Sequence, residues 1–159
     1  ALVQCLDVRA TQVTDVGVTQ IAMGLRFLQH LDVSYTNLTD EGVALIAQHL
    51  PQLHYLGVGF TKVTDAGVTR IAKRLSKLQH LDVSRNNVTD EAMPSLARHL
   101  TRLKRLDLGW TAVTNAGVAQ IALHLSKLQC LGVSWTNVTV EGIVQVAQHL
   151  PQLQCLDVN

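Results

Sequence analysis

Residues 28–52 read LQHLDVSYTNLTDEGVALIAQHLPQ, and the fold follows from them. Leu28, Leu31, Val33 and Leu38 give the form L-x-x-L-x-V-x-x-T-x-L, which alternates like a short strand and then turns. The period changes in the second half. Val43, Ile46, Ala47 and Leu50 fall at i, i+3, i+4 and i+7, one apolar stripe on a helix of about ten residues. Thr39-Asp40 supplies an N-cap oxygen, Asp40 and Glu41 place negative charge in the first turn, and His49 closes the last one, as the helix dipole favours.

The same grammar runs through the chain. Leu6, Leu31, Leu56, Leu81, Leu106, Leu131 and Leu156 are each 25 residues apart, with no insertion or deletion. A strand and a helix in so short a unit cannot bury their own apolar faces, so each unit must stack on the next. Seven parallel strands spaced by about 4.8 Å make an inner sheet roughly 30 Å long. Helices are wider than strands are spaced, so the stack curves, with the sheet concave and the helices convex.

Seven strand motifs, together with the segment V-T-D-x-G-V-x-x-I-A-x-x-L, resemble the leucine-rich-repeat superfamily. The segment is similar to the cysteine-containing and ribonuclease-inhibitor-like subclasses with convex helices. The resemblance implies an α/β horseshoe solenoid, and settings such as ubiquitin-ligase receptors, immune sensors or bacterial effectors. Two features depart from those subclasses. The 25-residue period is shorter, and Thr11, Thr36, Thr61, Thr111 and Thr136 stand where the family usually has Asn or Cys, with Asn86 the one exception. A Thr hydroxyl still bonds backbone groups of the neighbouring turn, with shorter reach than an amide. The unit at 78–102 is the irregular one. Ala92 replaces the usual Gly and Pro94 falls in the first turns of its helix, which is therefore expected to begin late or be distorted.

With 159 residues, 47% of them hydrophobic, the chain reads as a single domain over 1–159, about six repeats without evident capping units. Its formal charge is +1 and no Lys/Arg run occurs, which argues against nucleic-acid and anionic-membrane partners. No stretch approaches the roughly 20 apolar residues of a membrane span. Cys5, Cys130 and Cys155 are odd in number and lack the spacing of a disulfide framework or zinc site. The sequence also opens directly on repeat, with no basic-then-apolar leader. The expectation is an intracellular chain, cytoplasmic or delivered into a host cell. Asn37, Asn87 and Asn137 begin N-x-T sequons, glycan acceptors on a secreted chain, but they recur every 50 residues as part of the repeat.

Residues alternating with the buried strand positions point out of the concave face. The first column is Cys5, His30, Tyr55, His80, Arg105, Cys130 and Cys155; the second is Asp7, Asp32, Gly57, Asp82, Asp107, Gly132 and Asp157. Just past the strand comes a third: Ala10, Tyr35, Phe60, Arg85, Trp110 and Trp135. Four of the chain's six aromatic residues are in it, and Tyr55 is beside it. Exposed aligned aromatics are costly unless something covers them, and Trp, Tyr and Arg dominate binding hot spots. Asp32, Asp82 and Asp107 stand at i+2 from His30, His80 and Arg105, giving same-strand pairs and a mildly acidic floor.

Other chemistry finds little support. His30 and His80 are two strands apart, about 10 Å, too far to share one metal ion. Cys130 and Cys155, on adjacent strands, are expected as free thiols. Cys130 lacks a neighbouring His, and the repeated glycines at 17, 42, 67, 117 and 142 form no phosphate loop. The chain therefore reads as a binding module for a protein or peptide, without cofactor or catalysis. Two alternatives stand beside it: a segment of a longer or end-to-end self-associating solenoid, and an extracellular recognition receptor.

Overall fold

The computed structural model describes residues 2–159. The strands are β1 (Cys5–Asp7), β2 (His30–Asp32), β3 (Tyr55–Gly57), β4 (His80–Asp82), β5 (Arg105–Asp107), β6 (Cys130–Gly132) and β7 (Cys155–Asp157). Between them run α1 (Asp15–Gly24), α2 (Asp40–His49), α3 (Asp65–Arg74), α4 (Met93–His99), α5 (Asn115–His124) and α6 (Val140–His149). The strands form one open parallel sheet in sequence order, and every register pair is 25 residues apart, from Cys5↔His30 to Asp157↔Gly132. The chain is thus an α/β solenoid, sheet on one side and helices on the other.

Leu31, Leu56, Leu81, Leu106 and Leu131 are buried in a row, and Val43, Val68 and Val118 meet them from the helices in a single core. Leucines that carry each helix into the next strand, among them Leu50, Leu53, Leu75 and Leu78, are fully buried too.

The helix starts hold the coils together in a way that dipole arguments miss. Thr39 caps α2 through its hydroxyl, which accepts from Glu41 N–H, while its own N–H and hydroxyl donate to the Asp15 carboxylate of the preceding coil at 2.9 and 2.6 Å. Thr64 does the same to Asp40, Thr89 to Asp65 and Thr114 to Asp90. Asn115 makes the last such link, accepting from Thr139 N–H and donating to its hydroxyl. These carboxylates need room. A Cβ on Gly42, Gly67 or Gly117 would lie 2.2 Å from the Asp of the coil before.

That crowding explains the irregular unit. Ala92 carries a methyl at this tight position, and Asp90–Ala92 winds as a 3-10 turn before α4 begins at Met93. Pro94 then falls in the first turn of α4, where its missing N–H has no intrahelical partner to lose. The late start expected of this helix is what the structure has.

The threonines after the strands behave differently from the expectation. Thr36, Thr111 and Thr136 each donate to the carbonyl three residues back, closing their own turn, and Thr61 does so while also donating to Asn86 Oδ1 of the next coil at 3.1 Å. A Thr hydroxyl reaches the next coil only where the longer Asn86 amide comes to meet it. Asn86 does bridge coils: its Nδ2 donates to Val58 O at 2.7 Å and its Oδ1 accepts from Thr61 N–H at 3.1 Å.

Candidate functional site: the concave face and its aromatic rim

Each strand hands on to a tight turn whose pivotal residue is the third column. Ala10, Tyr35, Phe60, Arg85, Trp110 and Trp135 all have φ between 51° and 59°. This left-handed region is normally left to Gly, Asn or Asp, and an ordinary residue there costs about 1–2 kcal/mol. The coils enforce it. The N–H of Tyr35 donates to Gly59 O, that of Phe60 to Ser84 O and that of Trp110 to Ser134 O, each at 2.8 Å. None of the six is a residue type that this backbone favours.

Those side chains make an exposed ladder along the rim of the sheet. Tyr35, Phe60, Trp110 and Trp135 are 52, 53, 47 and 64% exposed, so neighbouring rings do not bury one another. Trp110 and Trp135 stack with centroids 4.7 Å apart, Tyr35 and Phe60 lie 5.1 Å apart at a tilt, and the Arg85 guanidinium sits 4.8 Å over the Trp110 ring. Arg85 thus continues the ladder as a cation–π partner.

Among the described residues, no ion pair joins His30 to Asp32, His80 to Asp82 or Arg105 to Asp107. Positions i and i+2 on a strand are about 6.6 Å apart, while neighbours on adjacent strands are about 4.8 Å apart, so the contacts run across strands, with Arg9 reaching back to Asp7 as the exception. His30 stacks on Tyr55 with centroids 3.8 Å apart, and Tyr55 hydroxyl donates to Asp32 Oδ2 at 3.1 Å. Arg9 holds Asp7 through its guanidinium at 2.7–3.0 Å and approaches Asp32 at 3.7 Å. Asp32 is therefore buried and saturated, not part of an open floor as its position in the column suggests. Burial first, then the Asp32 charge, pushes the Tyr55 phenol up to about 12.

Further along, His80, Asp82, Arg105, Asp107, Cys130 and Asp157 line a trough of about 390 Å³. Among the described residues the ion pairs involve only Arg9, Asp7, Asp32, Arg70 and Glu41, so Asp82, Arg105 and Asp107 face the trough without a charged partner. Burial holds the Asp82 carboxyl above its usual range, with the Asp107 and Asp32 charges adding to the shift. Burial, then Arg105 and Lys104, holds His80 below its usual value.

Cys5, Cys130 and Cys155 are free thiols, and the register neighbours of Cys130 are Arg105 and Cys155, with no histidine beside it. Among the described residues no group of three or more His, Cys, Asp or Glu side chains is placed to hold a metal ion, and no helix is long and apolar enough to cross a membrane. Sequence reasoning missed Arg9, although the signal was present. It is the lone cation in a column that otherwise reads Ser34, Gly59, Ser84, Gly109, Ser134 and Asn159.

The leucine-rich-repeat family matches residues 24–47, 74–97 and 99–122. No curated protein matches the sequence. Among solved structures, an internalin (inlF) from Listeria monocytogenes is similar, with a TM-score of 0.76 and 23% identity over 99% of this chain. An internalin C2 (inlC2) from the same species gives 0.71 and 24% over 98%. The chain spans 42% of the first and 73% of the second, and at these identities the likeness is one of fold.

Proposed function

Because the chain is a leucine-rich-repeat solenoid, we propose that it is a protein-interaction module that grips a protein or peptide partner with its concave face and aromatic rim. Arrays of this kind are typically binding modules without catalysis. The observation that carries the reading is the third column, where five of six strained backbone positions hold exposed Tyr35, Phe60, Arg85, Trp110 and Trp135 instead of Gly or Asn. Strain kept at one face of every coil supports a role outside folding. The stacked Trp110–Trp135 pair is the expected hot spot, with Tyr35 and Phe60 extending the contact. Tyr55, His30 and Asp32 support the floor; His80, Asp82, Arg105 and Asp107 meet the partner.

The test is capture by immobilised protein followed by mass spectrometry, with the Trp110→Ala/Trp135→Ala double variant beside a convex-face control, Gln48→Ala/Lys73→Ala. Both variants should melt as the parent does. The tryptophan variant should lose at least about tenfold in retained partner, the scale of a hot-spot residue, while the control keeps it. Identical capture by all three proteins sinks the reading.

A further inference from the structure

The second column repeats with a period of three coils: Asp7, Asp32, Gly57, then Asp82, Asp107, Gly132. Asp7 pairs in register with Asp32, and Asp82 with Asp107. The glycine that follows each pair makes room for the second carboxylate. A Cβ on Gly57 would lie 2.6 Å from Asp32 Oδ1, and one on Gly132 would lie 2.8 Å from Asp107 Oδ1. Both leading carboxylates are oriented alike, Asp7 Oδ1 accepting from Arg9 N–H at 3.0 Å and Asp82 Oδ1 from Ser84 N–H at 2.8 Å.

The two pairs differ in what neutralises them. Over the first, the Arg9 guanidinium contacts both carboxylates, and Tyr55 hydroxyl donates to Asp32. At the equivalent places beside the second stand Ser84 and Cys130, which bring no charge. Arg105, on the same strand as Asp107, is exposed and pairs with neither carboxylate. Tyr55, His80 and Asp157 line the same trough, and the Asp32 charge also acts on Asp82.

From this internal precedent we infer that Asp82 and Asp107 form a seat for a guanidinium group, an arginine side chain carried by the protein partner. The inference rests on the binding role proposed above and names what the partner brings. A planar fork of donors suits two side-by-side carboxylates better than an ammonium does. The trough above the pair has room for the whole side chain, and the Trp110–Trp135 rim receives the adjoining peptide.

Blocked arginine (N-acetyl-L-arginine methylamide) tests the seat when titrated against the isotope-labelled chain by NMR. The reporters are the Ser84 and Gly109 amides, which cap Asp82 and Asp107. Saturable shifts should centre on these two amides. Blocked lysine should bind about tenfold more weakly, the loss of one charge-assisted hydrogen bond, and blocked citrulline should leave both amides unmoved. Ser84→Arg copies Arg9 onto the second pair and should abolish the shifts, and Asp82→Asn, which keeps the cap acceptor, should weaken binding about tenfold. Equal response to citrulline, no saturable shift, or full binding by Ser84→Arg overturns the proposal. The two readings fail separately. Partner capture that survives Ser84→Arg but not Trp110→Ala/Trp135→Ala removes the arginine seat alone. Blocked arginine bound at Ser84 and Gly109, with capture insensitive to the tryptophans, removes the rim alone.

Discussion

The two halves of the concave face are built on the same backbone and differ in how their polar groups are satisfied. In the half made by β1 to β3, Asp7, Arg9, Asp32, Tyr55 and His30 satisfy one another by ion pairs, a hydrogen bond and ring stacking. In the half made by β4 to β7, Asp82, Asp107 and Arg105 line an open trough, and the turns after β5 and β6 carry the exposed Trp110 and Trp135. The repeat dictates where side chains point, and composition at three columns decides whether a region closes on itself or faces a ligand. Holding the fold and meeting a partner are thus separable, and the separation can be measured.

The largest effect should be blind to the comparison. Leu56, in the closed half, and Leu106, in the open one, are both buried in the common core. Truncating either to Ala should cost about 2–5 kcal/mol in urea unfolding, since a cavity forms where the surroundings collapse only in part. A Leu106→Ala cost below about 1 kcal/mol would mean that the trough reflects loose packing, and the contrast between the halves would then be one of order and not of chemistry.

The inter-coil links come next in size. Asp40 accepts from Thr64 N–H and hydroxyl at 2.8 and 2.6 Å, a charged acceptor for two donors. Asp40→Ala should destabilise the chain by about 1–2 kcal/mol, the upper range of a helix-cap loss. Asn115, in the open half, makes the same two contacts without charge, and Asn115→Ala should cost less, about 0.5–1 kcal/mol, as neutral hydrogen bonds do. Thermal melts that rank them the other way would show that the carboxylate charge contributes nothing to these links.

Much of this was legible in the sequence. A strict 25-residue period fixes the register of every strand before any packing is considered, and Ala92 with Pro94 announced the late start of α4. The columns followed from strand alternation, and the rings of the third do lie side by side. What stayed hidden depends on contacts between coils. Asp40 looks like a first-turn helix residue because its acceptor role toward Thr64 exists only after stacking. Asp32 looks exposed until Arg9 and Tyr55 close over it. The left-handed turns gave no signal at all, because the rule that marks them expects Gly or Asn, and this chain puts Trp, Tyr and Phe there.

The smallest effect tests the comparison most directly, because theory fixes its sign. Asp7 is held below its ordinary value of 3.8 by the hydrogen bond from Arg9. Its contribution is therefore present above 3.8 and is lost as pH falls through the folded value. Asp82 is displaced the other way by burial, so the stability it brings is present below 3.8 and lost as pH rises through its folded value. At neutral pH, Asp7→Asn should lower the melting temperature and Asp82→Asn should raise it, and both differences should fade in acid. Installing Ser84→Arg beside Asp82 must then make Asp82 behave like Asp7, turning the gain from Asp82→Asn into a loss. A melting temperature that Asp82→Asn lowers equally with and without that arginine would mean the two carboxylate pairs never differed, and that Arg9 is not what separates the halves.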